Sequence, residues 1–374
     1  MLAQPPIWLI LVAFICAIGP LVFIHEFGHY LVARCFGVGA EIFSIGFGRE
    51  IFGWNDKRGT RWKVGWLPLG GYVRFVGDAD VASAANSDVP AELADKSFQG
   101  KPVGQRFLIV LAGPTANFLL AILIIAAFFA TVGIPRTPNS VDRVVPGSAA
   151  EQAGIRPGDR IESIAGQETP TFEALRYVTA LRPGADVSIR IARGGESLTL
   201  QARLGAQIVR DEFGQSHRIG LLGIPPPKRV LERPGPLELI PKAVGATISM
   251  VGMMIDGIVQ IVSGYISPKE LGGPLKIAQI AGQQASLGAF EFVALVAMLS
   301  INLGFINLLP VPMLDGGHLA FYAIEAVRRR PVGERAQEWA FRGGLAALLA
   351  LLVFVTINDL SSFGLWERLG RLIG

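Results

Sequence analysis

The chain has 374 residues, of which 51% are hydrophobic and only 17% charged. Soluble domains carry about 25% charge, so composition argues against an ordinary cytosolic enzyme, and a chain this apolar has too much surface to bury to be intrinsically disordered. The net charge of +4 comes from Lys and Arg spread along the chain without a dense basic tract, which points away from nucleic acid and towards charge beside a membrane.

The first apolar run, Ile7 to Ile24, leads directly into His25-Glu26-Phe27-Gly28-His29. It approaches the roughly 20 residues needed to cross hydrocarbon. Because it has no basic segment ahead of it, it reads as a retained membrane helix rather than a secretory signal. No Lys or Arg occurs in the first 33 residues, and ten occur from Arg34 to Arg106. The positive-inside rule then sets the N-terminus outside and that loop in the cytoplasm. Within the loop, Ile42-Phe43-Ser44-Ile45-Gly46-Phe47-Gly48 and Arg61-Trp62-Lys63-Val64-Gly65-Trp66 are rich in Gly, aromatic and β-branched residues, and predict a membrane-associated β-hairpin. Phe107 to Val132 is the second predicted span and contains Gly113-Pro114-Thr115-Ala116-Asn117. The two cysteines, Cys16 and Cys35, would stand about 28 Å apart on one helix, beyond disulfide reach.

From about Ile134 to Leu204 charges return. Turn signals such as Pro146-Gly147, Arg156-Pro157-Gly158-Asp159 and Arg182-Pro183-Gly184 separate short β-rich runs like Val187 to Ala192, which predicts a small domain inserted outside the membrane. Pro225-Pro226-Pro227 and Pro234-Gly235-Pro236 read as a stiff linker. Ala243 to Val262 is apolar but for Asp256. It is taken as a surface or re-entrant helix, because a crossing there would put Asp315 at the opposite face from His25. Phe292 to Leu314 is the third span and the Leu-rich run Gly343 to Asn358 a fourth, with five arginines from Arg328 to Arg342 expected inside. The expected architecture is an α-helical multi-pass membrane protein with about four transmembrane helices. Residues 1–134 hold two spans and the hairpin, 135–205 the inserted α+β domain, 206–288 a linker and amphipathic helix, and 289–374 the last two spans.

The chemistry concentrates at two places. In HExxH both histidines share a helical face, so His25 and His29 can reach one Zn²⁺ while Glu26 stands beside the attacking water as general base. Ionisable groups in a membrane helix cost about 2.5–3.5 kcal/mol each on insertion scales, and three within five residues weigh against a decorative role. A catalytic zinc takes three protein ligands and keeps one position open. Asn307-Leu308-Leu309-Pro310-Val311-Pro312-Met313-Leu314-Asp315-Gly316-Gly317 ends the third apolar run, with prolines breaking the helix and Asp315 as the nearby acid. His318 is a competing third ligand and Asp315 ranks ahead of it. A straight first helix sets the site about 27 Å below the outer boundary, nearer the cytoplasm.

HExxH on the first helix, NxxPxPxxDGG at Asn307 to Gly317, Gly113 to Asn117 on the second span and a domain inserted after it together resemble the site-2 protease family of intramembrane zinc metalloproteases, in its bacterial regulator-of-sigma-E protease branch. The resemblance covers nearly the whole chain. It implies His25, His29 and Asp315 as zinc ligands, Glu26 as catalytic base, and Asn307 as a residue holding the substrate backbone or the developing oxyanion. It further implies that Gly46-Phe47-Gly48 dips into the bilayer and that an edge strand pairs with unwound substrate. Val144 to Ala150 and Ala153 to Asp159 resemble a PDZ domain. Familiar members of the branch carry two such modules and this chain shows one.

The resemblance implies a bacterial inner membrane with a periplasmic PDZ-like domain, and single-span membrane proteins such as anti-sigma factors or remnant signal peptides as substrates. The PDZ-like domain would bind a periplasmic ligand, or admit only products of an upstream protease. Two other readings are weaker. A catalytically inactive adaptor predicts erosion of the ligand set, which is intact. A metal-ion transporter predicts repeated halves and polar groups along a path across the bilayer, whereas these groups gather at one depth.

Overall fold

The computed structural model describes residues 5–77, 91–210, 216–228, 230–264, 268 and 272–362; parts of the predicted 206–288 and 289–374 segments thus lie outside the described residues. In chain order the elements are α1 (Ile7–Cys35), β1 (Ala40–Asn55), β2 (Arg61–Phe75), a 3-10 turn (Ala91–Lys96), α2 (Val103–Thr131), β3 (Ile134–Arg136), α3 (Ala149–Gln152), β4 (Arg160–Ile164), β5 (Gln167–Glu168), α4 (Phe172–Ala180) and β6 (Asp186–Arg193). They continue with β7 (Glu196–Arg203), β8 (Gly205–Arg210), β9 (Ser216–Leu221), β10 (Val230–Glu232), α5 (Pro236–Val262), α6 (Pro274–Leu287), α7 (Ala289–Leu308), α8 (Asp315–Arg328) and α9 (Glu334–Ser362). The chain divides into two compact units, one of residues 1–127 with 237–374 and one of residues 128–236.

Among the described residues five helices are long and apolar enough to cross a membrane: α1, α2, α5, α7 and the Arg335–Ser361 stretch of α9. Four overlap the apolar runs read from the sequence, although α7 stops at Leu308, short of the predicted end at Leu314, because Pro310 and Pro312 cannot continue it. The fifth, α5, buries only Ala243 and Thr247, and its length and composition qualify it for crossing as they do the others.

The larger unit is organised on α1. Ala13, Ala17, Leu21, His25, His29 and Ala33 are all buried, a stripe with a residue every fourth position, as the i, i+4 ridge of a helix requires. Its upper part is small, which lets α6 and α7 pack closely: Ala13, Ala17 and Leu21 share a core with Ala281, Leu295 and Leu299. Pro20 lies inside α1 without ending it, since neighbouring groups can take up the backbone bonds a proline releases in a membrane helix. At Gly28 an added β-carbon would stand 2.5 Å from the Ala112 carbonyl oxygen and 2.9 Å from the Ala116 β-carbon. The glycine inside HExxH therefore allows α1 and α2 to meet nearly backbone to backbone.

β1 and β2 pair along three stretches. Ile42 to Ile45 face Arg74 to Gly71 across one edge and Arg61 to Val64 across the other, while Glu50 to Asn55 pair back along Gly65 to Arg61. The first half of β1 is thus held between the two ends of β2. The chain turns back at Gly46 and Gly48, both at φ +84, a backbone region open to glycine with little strain. Fully buried Phe43 stacks on Trp62 with ring centroids 4.3 Å apart and meets Tyr30 of α1 at 5.8 Å. Asp56, in the turn between the strands, accepts hydrogen bonds from Tyr30 Oη and Trp62 Nε1. Together these contacts fasten the sheet to α1.

The second unit has a four-stranded antiparallel sheet in the order β5-β4-β6-β7. β6 alternates as its burial requires, with Val187, Ile189 and Ile191 inward and Ser188 and Arg190 outward. Ile161, Ile164, Ile189 and Ile191 are fully buried beside Leu175 and Val178 of α4, each contributing about 1.5–3 kcal/mol of burial. Gly194 and Gly195, at φ +59 and +93, close the β6–β7 hairpin in two residues. The hairpin β8–β9 and the short pair β3–β10 complete the unit.

Candidate metal centre

Four turns of uninterrupted helix carry α1 from its buried alanines to His25 and His29, so the same inward stripe delivers two imidazoles. Asp315 comes from a different part of the chain. Pro310 and Pro312 prevent α7 from continuing, the backbone turns with Met313 at φ +82, and Asp315 is the first residue of α8. There the helix N-terminus favours a negative charge.

The structure brings these three residues together. Asp315 Oδ2 lies 3.1 Å from His25 Nε2 and 3.4 Å from His29 Nε2, and the two Nε2 atoms are 3.3 Å apart. Both histidines are 8% exposed. His29 Nδ1 is 2.9 Å from the Ile109 carbonyl oxygen. A carbonyl can only accept, so that nitrogen carries a proton, and in the neutral form the ring turns a lone pair at Nε2 towards the carboxylate. Asp315 Oδ2 is itself buried and makes no hydrogen bond. With a lone pair on each Nε2, three acceptor atoms converge on one point. A proton on His25 Nε2 could relieve one of the three contacts, whereas a divalent cation relieves all of them.

The spacing fits such an ion. Tetrahedral bonds of about 2.0–2.2 Å to N and O ligands hold ligand atoms roughly 3.3–3.6 Å apart, close to the observed separations. Among the described residues His25, His29 and Asp315 are the group of metal-ligating type so arranged. His318, the competing ligand considered from the sequence, is not part of it. Its ring packs on Phe341 at 4.9 Å and Tyr322 at 6.5 Å.

Glu26 stands between the histidines on α1 with β2 beside it: a β-carbon added at Gly71 would stand 3.1 Å from Glu26 Cγ. Asn307 lies half-buried in the last turn of α7. Gly46-Phe47-Gly48 forms the bend of β1, where Phe47 is 45% exposed and stacks on Tyr72; the three are not within the cluster of converging side chains.

Sequence reasoning named Asn117 only within the Gly113 to Asn117 motif, without a role, and did not reach the Ile109 carbonyl. Asn117, fully buried on α2, places its side-chain amide 3.1 Å from His25 Nδ1, and its backbone carbonyl accepts from Ser300 of α7 at 2.8 Å. A buried Asn in an apolar span is costly without a partner, and that signal could have marked it. The Ile109 carbonyl is a backbone group, which has no signature in sequence.

The family model of peptidase family M50 matches residues 13–351. A candidate zinc metalloprotease of Agrobacterium fabrum is 43% identical over 361 residues, covering 94% of this chain and 96% of its own. Metalloprotease MmpA of Caulobacter vibrioides is 35% identical over 391 residues, covering 97% of this chain and 98% of its own. A PDZ domain of an SdrC-like protein from Listeria monocytogenes covers 25% of this chain and 93% of its own at 20% identity and a TM-score of 0.19, a likeness too slight to argue from. With a model spanning nearly the whole length and relatives aligned end to end, the chain belongs to peptidase family M50, the site-2 protease family.

Proposed function

We propose that this protein is an intramembrane zinc metalloprotease that cleaves the membrane-spanning segments of single-span proteins, with His25, His29 and Asp315 as the zinc ligands. The observation that carries this reading is the convergence of three acceptor atoms at 3.1–3.4 Å in a buried site. Zinc is the metal in the names of the Agrobacterium relative and of a 42% identical relative from Rhizobium meliloti. When bound, the ion supplies Lewis-acid polarisation of a peptide carbonyl and makes water acidic enough to attack near neutral pH.

Glu26 takes the proton of the attacking water and delivers it to the leaving nitrogen. No side chain forms a covalent bond to substrate. A membrane-spanning substrate arrives as a helix with its carbonyls already hydrogen-bonded, and exposed backbone in lipid costs several kcal/mol per group. The β1–β2 sheet supplies replacement partners along an edge strand. In this reading Gly46, Phe47 and Gly48 enter the bilayer beside the substrate, and Asn307 holds its backbone or the developing oxyanion.

The N-terminus and residues 135–205 face the periplasm of a bacterial inner membrane, and the latter, as a PDZ-like domain, exclude substrates not yet trimmed by another protease. Deleting residues 136–204 tests the exclusion: untrimmed substrates become cleavable if it holds. The central test is zinc stoichiometry together with cleavage of a single-span substrate by wild type and Glu26→Gln. Glu26→Gln is expected to keep its zinc and lose about 10²–10⁴ in rate. Equal cleavage by both proteins removes Glu26 from the mechanism, and zinc uptake by vesicles without hydrolysis favours a transporter.

A further inference from the structure

The most deeply buried polar side chain beside the cluster is Asn117, 0% exposed and 92 residues from His25 in sequence. Its Nδ2 lies 3.1 Å from His25 Nδ1, and its Oδ1 is buried without any hydrogen-bond partner. Such an orphaned acceptor normally costs about 1–3 kcal/mol, so a membrane helix has reason to keep it only if it is used.

The chemistry of the histidine names the use. A neutral imidazole that gives Nε2 to a metal carries its proton on Nδ1 and is a donor there. His29 already shows this arrangement, with Nδ1 on the Ile109 carbonyl. His25 needs an acceptor in the same place, and the amide of Asn117 is the polar group within reach. Half a turn of that amide about its last torsion exchanges nitrogen for oxygen without changing its shape. The turn gives the orphaned Oδ1 a donor and gives His25 its acceptor in one step.

We infer that Asn117 is a positioning residue for the metal centre: its side-chain oxygen accepts the Nδ1 proton of His25, fixes the tautomer and turns Nε2 towards the metal. The inference rests on the zinc reading above and adds a residue that acts through a ligand.

The test is competition for Zn²⁺ between the full-length protein and a calibrated chelator, for wild type, Asn117→Leu, Asn117→Asp and Ser300→Ala. Loss of an outer partner typically weakens metal binding about 10–100-fold, and that is expected for Asn117→Leu, which keeps the volume and removes the acceptor. Asn117→Asp restores an acceptor and is expected to bind at least roughly tenfold more tightly than the Leu variant. Ser300→Ala, which leaves His25 untouched, is expected to stay close to wild type. Equal affinity for the Leu and Asp variants, or a Ser300→Ala loss as large as that of Asn117→Leu, overturns the inference.

A measurement on wild type alone covers the case in which a variant fails to fold. The chain has four histidines, so ¹⁵N spectra of the histidine-labelled, zinc-loaded protein resolve His25. Protonated Nδ1 with metallated Nε2 supports the inference, and coordination through Nδ1 overturns it. If wild type binds no zinc that depends on His25, the metal reading itself fails, which is distinct from normal zinc binding that is indifferent to residue 117.

Discussion

Gly113 of α2 lies so close to His29 of α1 that a β-carbon at Gly113 would overlap Nε2 and stand 2.5 Å from Cε1 and 2.8 Å from Cδ2. The imidazole occupies the space that any other residue would fill. α1 and α2 also meet tightly at Gly28, so parting the helices to make room would open that contact as well.

Gly113→Ala is therefore expected to push His29 off its place and weaken zinc binding about 10–100-fold, with cleavage falling in parallel. Gly104→Ala, on the same helix where nothing lies within 4 Å, is the control and should change neither. Metal analysis and chelator competition read the effect. Full zinc affinity in Gly113→Ala would show that the site repacks.

A different outcome is expected at Gly71 of β2. A β-carbon there would stand 2.7 Å from the Ser44 carbonyl oxygen, 2.8 Å from Val22 Cγ1 and 3.1 Å from Glu26 Cγ. Gly71→Ala should press on the Glu26 side chain and shift the strand beside it while leaving the three proposed ligands alone. Displacing a catalytic group by about 1 Å costs on the order of 10² in rate. The expected result is a loss of that size at unchanged zinc stoichiometry; a parallel loss of zinc would contradict it.

In the second unit, Arg193 donates to both carboxylate oxygens of Asp159 at 2.8 Å, and the Arg156 backbone N–H donates to Oδ2 at 2.8 Å. Burial by itself raises this carboxyl, and the hydrogen bonds from Arg193 and Arg156 outweigh it, so Asp159 titrates below the usual carboxylate range. A group whose folded pKa is depressed adds stability that is complete above its unfolded pKa, about 4, and that drains away as pH falls through the folded value. Removing the charge with Asp159→Asn should destabilise the unit by roughly 1.5–3 kcal/mol near neutral pH and flatten its acid dependence below about pH 4. Unfolding curves of the full-length protein and the variant between neutral and acid pH check the sign.

Asp359 of α9 is 1% exposed and accepts from the backbone N–H groups of Gly273 and Lys276, each at 3.0 Å. It thereby caps α6 at an N-terminus whose own cap, Gly273, has no side chain to do so. Asp359→Leu would leave both donors without this acceptor and is expected to destabilise the fold by on the order of 2–4 kcal/mol. Asp359→Asn, which keeps an acceptor, should lose less. The difference in thermal stability between the two variants measures the cap.

Local physics made much of this protein legible in sequence. Long uncharged runs define helices that suit hydrocarbon, and a period of 3.6 residues puts His25 and His29 on one face whatever surrounds them. The alternation from Val187 to Ile191 marks an inward and an outward side of a strand for the same reason. Asp315 could be selected by chemistry alone, as an acid beside helix-breaking prolines. Its position within 3.1 Å of His25 is a property of how α7, α8 and α1 pack.

The same holds for the Ile109 carbonyl, 80 residues from the histidine it orients. Every residue has such a carbonyl, and only packing chooses one. Holding the first half of β1 between both ends of β2 likewise needs two registers and a bend to agree, which no window along the chain contains. Sequence marked the candidate ligand types and the long apolar helices because those depend on neighbours a few residues away. Tertiary structure decided the meeting point of the acceptors and the groups that orient them, because contacts between distant segments depend on the whole packed arrangement.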